Sequence, residues 1–166
     1  MSKTLRLVLG DQLNSNHSWF KTIDDSVTYV MMEIRTETDY ATHHIQKIVG
    51  FFSAMQEFAA ELQLQQHQVV YFHLNDTTNL QSFEKNIKSL IEKEHFTHFE
   101  YQFPDEYRLD EQLKNLCQSL SITSSVCDSE HFMSSRNELG DFFEGKKTFL
   151  MESFYHMMRK KHHILM

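Results

Sequence analysis

Five stretches of the chain carry the apolar and β-branched pattern of strands, and segments with helical periodicity separate them. The predicted strands are Leu5–Leu9, Val27–Glu33, Val69–Leu74, His98–Phe103 and Ile122–Cys127. Their connections are too long for hairpins, and such alternation is typical of parallel strands joined by right-handed crossovers. We therefore expect an α/β fold: a doubly wound, Rossmann-like sheet of five parallel strands in the order 3-2-1-4-5, with helices on both faces.

Apolar residues recur at helical spacing between the predicted strands. The longest predicted helix runs from about Thr38 to Gln63 and would bury one face. That face consists of Ala41, Ile45, Ile48, Phe52, Met55, Ala59 and Leu62. Other helices are predicted at Gln81–Glu94, at Leu109–Leu120 after a cap at Pro104-Asp105, and at Lys147–Lys161, with short helical pieces near Asn14–Phe20 and Leu139–Gly145.

The composition is that of one folded domain without linkers. The 166 residues include 14 Phe and 9 Met but only one Pro and four Gly, and no low-complexity stretch interrupts them. We expect residues 1–166 to form a single α/β domain. The formal net charge of -7 disfavours binding to phosphate backbones, and the one basic cluster, Arg159–Lys161, lies near the C-terminus.

Cysteine usage and hydropathy bear on the cellular compartment. Cys117 and Cys127 lack metal-ligand spacing, and Met1–Thr4 leads directly into the first strand without a targeting segment. No run approaches the ~18 apolar residues that span a bilayer. These features predict reduced thiols in a cytoplasmic protein with no membrane partner.

A candidate site lies where the first strand ends. In open α/β sheets ligands bind beyond the carboxyl ends of the strands, at the point where the strand order reverses. For the expected order that point lies between strands one and four, which places Gly10–Gln12 and Phe103–Tyr107 at a crevice. Glu33 ends strand two at the same edge. Asp11 alone would also fit an ordinary turn.

Four side chains of the long predicted helix border this edge. Counting about 100° per residue, the margin of the buried helical face carries Glu37, Tyr40, His44 and Lys47. An acid, an aromatic ring, an imidazole and an amine beside two strand ends are typical of a ligand pocket. His44 alone would also fit a partly buried histidine that bonds to the backbone.

Several blocks of the sequence together resemble one family. The blocks are Leu7–Leu13, Tyr40, His43-His44, Lys47-Ile48, Phe52–Met55, Phe132–Ser135, Met151–Tyr155 and Met158–Lys161. In this order, over essentially the whole chain, they resemble the N-terminal domain of the photolyase-related proteins. This is the iron-sulfur bacterial cryptochrome and prokaryotic (6-4) photolyase branch of the photolyase/cryptochrome superfamily.

The resemblance implies an antenna domain that binds a light-harvesting pigment, typically 6,7-dimethyl-8-ribityllumazine, and passes excitation to FAD in a following helical domain. In the family that helical domain also holds a 4Fe-4S cluster through four cysteines, and neither Cys117 nor Cys127 is carried over as one of them. Photolyase members repair UV lesions in DNA with the excited reduced flavin, and others sense light. The implied partners are the C-terminal FAD domain and, only through the full-length protein, DNA. The chain alone is expected to be catalytically inactive.

The pocket inferred from the residues coincides with the pigment site that the resemblance implies. A lumazine has a flat ring with amide-like edges and a ribityl chain with several hydroxyls, so it needs an apolar wall, carboxylates and amides. The expected cofactor-binding residues are Gly10, Asp11, Gln12, Glu33, Ile34, Glu37, Tyr40, His44 and Lys47. We expect Tyr40 to pack beside the ring and Glu37 or Asp11 to accept hydrogen bonds from ribityl hydroxyls.

Two other classes of protein fit an α/β domain of this size. A stand-alone enzyme or nucleotide-binding module would need a phosphate cradle, and neither G-x-G-x-x-G nor G-x-x-x-x-G-K follows strand one. A flavodoxin-like signalling domain with Asp11 as phosphoacceptor would need acidic side chains that converge on one metal ion.

The end of the chain predicts a partner surface. Ile164–Met166 is apolar, and we expect the sequence to continue in a parent protein. If a catalytic domain normally covers this end together with Phe154 and Met157, the fragment exposes an apolar patch. We then expect a dimer that forms through the final helix.

Overall fold

The computed structural model describes residues 2–39 and 41–165. Tyr40, one of the expected site residues, lies outside the described residues. The chain divides into two compact units, Met1–Cys127 and Asp128–Met166. The sheet and the cavity described below belong to the first unit.

The first unit is built on a five-stranded parallel sheet. Its strands are β1 (Thr4–Leu7), β2 (Val27–Met32), β3 (Gln68–Phe72), β4 (His98–Gln102) and β5 (Thr123–Cys127). Every neighbouring pair is parallel, and the order is β3-β2-β1-β4-β5. The predicted fold and strand order are confirmed. Strand β1 is central, and its apolar side chains Leu5 and Leu7 are fully buried.

Helices cover both faces of the sheet. They are α1 (Thr36–Asp39), α2 (Ile45–Leu64), α3 (Phe83–Glu94) and α4 (Tyr107–Ser119), with a 3-10 turn at Ser18–Phe20. Helices α3 and α4 pack on the face that carries Leu7, whereas α2 and the 3-10 turn pack on the face that carries Tyr29. Right-handed crossovers produce this division, because the chain moves outward from β1 in one direction and later in the other.

The single long helix predicted from Thr38 to Gln63 is wrong at its beginning. Helix α1 ends at Asp39, and α2 begins only at Ile45. His44 between them has an extended backbone, and its Nδ1 accepts a hydrogen bond from the Gln46 N–H at 3.2 Å, which caps α2. Ile45 is 65% exposed, so burial does not favour an earlier helical start. The predicted stripe from Glu37 to Lys47 on one helix therefore does not exist.

The start of α4 also differs from the prediction by one residue. Its N-terminal cap position is Glu106, not Pro104-Asp105, and no side chain caps the helix there. The Glu106 carboxylate instead accepts a hydrogen bond from Arg108 Nε at 2.7 Å. A competing ion pair thus replaces the cap that the sequence suggested.

The second unit contains two helices, α5 (Glu138–Phe143) and α6 (Met151–Lys161). Phe154 of α6 packs against the rings of Phe142 and Phe143 and is buried, so the expectation that it lies in an exposed patch is wrong. The large apolar side chains exposed near this helix include Ile164 and Leu165, which were expected to be exposed, together with Phe149, Leu150, Met151 and Tyr155. Across the described parts of the chain, no helix is both long and apolar enough to cross a membrane.

A polar cluster crosses the sheet on the face that carries Tyr29. Arg6 of β1 donates to the Glu100 carboxylate of β4 at 2.7 Å and to the Tyr29 hydroxyl at 3.2 Å. Ser125 of β5 donates to the same carboxylate at 3.1 Å. Partial burial alone would raise the pKa of Glu100, but the hydrogen bonds and charge of Arg6, with Ser125 and His98, outweigh it and lower that pKa.

We expect Glu100→Gln to lower the free energy of unfolding at neutral pH and to have little effect in acid. A carboxyl whose pKa is lower in the folded than in the unfolded protein stabilises the fold above its ordinary pKa of 4.5. That contribution is lost as the pH falls through the lower, folded value. Urea unfolding at several pH values between about 3 and 7 measures it. Glu57→Gln, at an exposed position of α2, is the control, and a difference for Glu100→Gln that stays constant with pH would contradict the prediction.

Candidate functional site

A cavity of about 230 Å³ lies at the carboxyl end of β1. Residues that follow β1 and β2 line it, together with the first half of α2 and the beginnings of α3 and α4. This is the edge at which the strand order reverses, because β1 has β2 on one side and β4 on the other. The cavity therefore occupies the place where open α/β sheets bind their ligands.

The walls of the cavity are mostly apolar. Helix α2 contributes Phe51, Phe52 and Met55, and the segment after β2 contributes Ile34. Leu109 of α4 adds a further aliphatic side chain. Large aromatic and aliphatic side chains of this kind suit a flat, weakly polar ring system, since they bury its faces without requiring hydrogen bonds.

Gly10 allows α2 to approach the end of β1 closely. A Cβ atom at Gly10 would lie 2.4 Å from Phe51 Cε1 and 2.9 Å from Met55 Sδ, which is closer than van der Waals contact permits. Any side chain at this position would displace the Phe51 ring or separate α2 from the sheet. The glycine that ends strand one is therefore required by the wall of the cavity.

Two carboxylates of the cavity lining share one arginine. Arg108 of α4 donates to both carboxylate oxygens of Glu37, at 3.1 and 2.7 Å, and to both of Glu106, at 2.7 and 3.2 Å. The hydrogen bonds to Glu37, followed by those to Glu106, outweigh partial burial and raise the pKa of the guanidinium above its ordinary value. The cluster joins the segment after β2 to the segment after β4, across the end of β1.

Five of the predicted site residues line the cavity. They are Gly10, Asp11, Ile34, Glu37 and Lys47. Lys47 Nζ lies 3.3 Å from His43 Nδ1, and both residues line the cavity. The lining thus combines carboxylates and an amine with apolar walls, which is the arrangement that a ligand with a flat ring and a polar chain requires.

Gln12 and His44 do not line the cavity. The Gln12 side chain is buried, accepts a hydrogen bond from the Leu9 N–H at 3.1 Å and donates to the carbonyls of Gln102 and Phe103 at 3.3 and 3.4 Å. It ties the turn after β1 to the end of β4. His44 caps α2, as described above. Both side chains position the backbone around the cavity.

Glu33 is also placed away from the cavity lining, in a buried hydrogen-bond network. Its Oε1 accepts hydrogen bonds from Gln56 Nε2 at 2.6 Å and from the Tyr71 hydroxyl at 2.8 Å. Its Oε2 accepts one from the Leu74 N–H at 2.8 Å. Desolvation of the Tyr71 hydroxyl, followed by its hydrogen bond to Glu33, raises the pKa of Tyr71 above the ordinary value. Glu33 therefore links β2, β3 and α2.

Sequence reasoning missed several residues of the cavity. Phe51 was absent from the predicted helical face. Arg108, which does not itself line the cavity but pairs with two carboxylates of the lining, was not among the predicted site residues. A glycine at the end of a strand without a phosphate-binding motif was the signal that could have suggested a bulky neighbour at Gly10. No comparable local signal pointed to the pairing of Glu37 with Arg108, which are 71 residues apart.

The described residues contain no group of three or more His, Cys, Asp or Glu side chains that could hold a metal ion. Within residues 2–39 and 41–165, Asp11 and the other acidic side chains of the cavity do not form such a group.

Comparison with known proteins identifies the family. The profile of the family described as "Deoxyribodipyrimidine photo-lyase-related protein" matches residues 6–166. The chain is also 32% identical over 163 residues to a protein named (6-4) photolyase from Agrobacterium fabrum (strain C58 / ATCC 33970). The chain belongs to the photolyase-related family. The resemblance inferred from the sequence blocks is thereby confirmed.

The chain corresponds to only part of this photolyase. The matched region covers 98% of this chain but 32% of the Agrobacterium protein. The chain thus spans about a third of the length of the photolyase that it matches, and the cavity at the end of β1 lies within the matched region of the family profile.

Proposed function

We propose that this chain is the antenna domain of a photolyase-related protein and that its cavity binds 6,7-dimethyl-8-ribityllumazine. The observation that carries the proposal is the cavity at the reversal point of the sheet. Apolar walls from Phe51, Phe52 and Met55 meet carboxylates there from Asp11 and Glu37. Family membership supports a photolyase-like protein, and the geometry of this cavity supports the pigment-binding role within it.

The residues present fit the proposed pigment. The apolar wall from α2 suits the flat ring, and Asp11 and Glu37 can accept hydrogen bonds from ribityl hydroxyls. The volume of about 230 Å³ is small for a ligand site, since such sites usually measure ~300–1,000 Å³. Tyr40 beside the ring remains a prediction.

The bound pigment would supply absorption of near-ultraviolet and blue light. The residues of this chain would bind it, hold its orientation and exclude water from one face of its ring. A fixed orientation matters for an antenna, because excitation passes efficiently only between pigments that are held in a constant arrangement. The rigid strand end at Gly10 and the helix α2 are suited to that task.

We further propose that FAD, the 4Fe-4S cluster and the DNA contact of the parent protein reside outside this chain. The Agrobacterium protein, named as a (6-4) photolyase, is about three times as long as the region matched here. The described residues offer no cluster of potential metal ligands. In this proposal the chain collects light for light-dependent DNA repair or light sensing and does not itself catalyse a reaction.

Asp11→Ala and Glu37→Ala are each expected to lower the affinity for 6,7-dimethyl-8-ribityllumazine by about tenfold or more. Each removes one charged acceptor, and a hydrogen bond to a charged group contributes ~1.5–3 kcal/mol. Titration of the protein into the pigment, followed by pigment fluorescence and absorption, measures the affinity. Glu84→Ala, on the outer face of α3 and paired with Lys88, is the control. Unchanged affinity in both cavity variants would refute the pigment site.

A further inference from the structure

The charged groups around the cavity leave an excess of negative charge. Three carboxylates line it, those of Asp11, Glu37 and Glu106, against the amine of Lys47. Arg108 adds one positive charge, which it shares between two of these carboxylates. Three carboxylates thus face two cationic side chains, those of Lys47 and Arg108. Most of the cavity lining is apolar, and its carboxylates outnumber its amines.

The positive charge of Arg108 is already committed to the protein. Its Nε, Nη1 and Nη2 all donate to the carboxylates of Glu37 and Glu106, at 2.7–3.2 Å. Bidentate guanidinium–carboxylate pairs are among the strongest charge-assisted hydrogen bonds. An incoming anion in the cavity would lie beside the carboxylates of Glu37 and Glu106, and it would have to displace one of them to reach Arg108, which is not part of the lining. This cost falls on anionic ligands and not on neutral ones.

We propose that the Glu37–Arg108–Glu106 cluster is a charge filter that admits the unphosphorylated ribityl pigment and rejects its 5′-phosphate. The inference rests on the proposed function and adds a specificity determinant to it. A phosphate monoester carries ~1.5–2 negative charges at neutral pH and seeks N–H donors. The Glu37–Arg108–Glu106 cluster presents two carboxylates to the cavity, whereas phosphate-binding sites present arginines that can bind the phosphate directly. Neutral hydroxyls, in contrast, can donate to these carboxylates.

The contribution of Glu106 to this selectivity can be tested separately from that of Glu37. Glu106→Gln removes one negative charge from the lining and loosens one of the two carboxylates that occupy Arg108. The guanidinium then retains Glu37 and has a neutral second neighbour. The ratio of the affinities for the phosphate ester and the free pigment should therefore shift toward the ester. Glu111→Gln, one turn further along α4 and paired with Lys114, makes the same charge change without lining the cavity.

The test compares binding of 6,7-dimethyl-8-ribityllumazine and of its 5′-phosphate to the unaltered protein, Glu106→Gln and Glu111→Gln. We expect the unaltered protein to prefer the free pigment by at least about tenfold, because the negative charge of the phosphate and those of the lining carboxylates repel each other. Glu106→Gln should reduce this preference by about threefold or more, and Glu111→Gln should leave it nearly unchanged. Added salt should reduce the preference in the unaltered protein, because it screens charges.

Other outcomes distinguish failure of the charge filter from failure of the pigment site itself. If the unaltered protein binds both compounds with equal affinity, the charge filter is refuted while the pigment site stands. The filter is also refuted if Glu106→Gln and Glu111→Gln change the preference equally. If neither compound binds to the unaltered protein, the proposed function fails and the filter fails with it.

Discussion

Gly10→Ala is expected to lower the affinity for 6,7-dimethyl-8-ribityllumazine by at least about tenfold and the free energy of unfolding by about 1–3 kcal/mol. The new Cβ would lie 2.4 Å from Phe51 Cε1 and 2.9 Å from Met55 Sδ. Phe51 is 44% exposed, so its ring can turn toward solvent, but it then leaves the cavity wall. Fluorescence titration measures the first effect and urea unfolding the second.

Gly50 provides a matched control for this substitution. It lies within α2, and a Cβ atom there would meet nothing within 4 Å. Gly50→Ala should therefore bind the pigment as the unaltered protein does, and it should gain up to about 1 kcal/mol of stability, because alanine favours the helix. Gly10→Ala protein that binds pigment with full affinity would show that Phe51 is not a required wall of the site.

Glu33→Ala is expected to be the most destabilising of the substitutions considered, with a loss of about 3 kcal/mol in the free energy of unfolding. The buried carboxylate accepts hydrogen bonds from Gln56, Tyr71 and the Leu74 N–H, at 2.6–2.8 Å. Alanine would leave these three donors, which are partly buried, without their acceptor. Urea unfolding, followed by circular dichroism, measures the loss.

The comparison with Glu84→Ala shows whether burial is the cause. Glu84 is exposed and pairs with Lys88 one turn away, so its loss should cost less than about 0.5 kcal/mol. Glu33→Gln keeps an acceptor oxygen and should restore part of the stability. If Glu33→Ala is no more harmful than Glu84→Ala, the network around Glu33 contributes little to the fold, and its assignment as a structural residue is wrong.

The fold was predictable because it depends on patterns that are local in the chain. The apolar run Leu5–Leu9 predicted a central strand, and Leu5 and Leu7 are indeed fully buried. The spacing of Leu80, Phe83, Ile87, Leu90 and Ile91 predicted the buried face of α3. The last four are buried, whereas Leu80 precedes the helix and is exposed. Prediction failed at the break before α2, where the His44 imidazole caps the helix through a local hydrogen bond to the Gln46 N–H that apolar spacing does not reveal.

The location of the site was also predictable, since the carboxyl end of β1 follows from strand order. Asp11, Glu37 and Lys47 were expected there, and they line the cavity. The hydrogen-bond partners of these side chains could not be predicted from the strand order. The expected hydrogen bonds from ribityl hydroxyls to Glu37 stay a prediction, and the structure shows that the carboxylate of Glu37 binds Arg108.

Hydrophobic periodicity and the glycine after β1 were sufficient to predict the sheet, its strand order and the edge that carries the cavity. These features follow from the burial of apolar residues, which the sequence shows directly. The partners of each side chain depended on packing between distant segments. Glu33 turned inward to Tyr71, Phe51 covered Gly10, and Arg108 reached Glu37 across the end of β1. Such pairs form only after the helices dock on the sheet, so no local pattern specifies them.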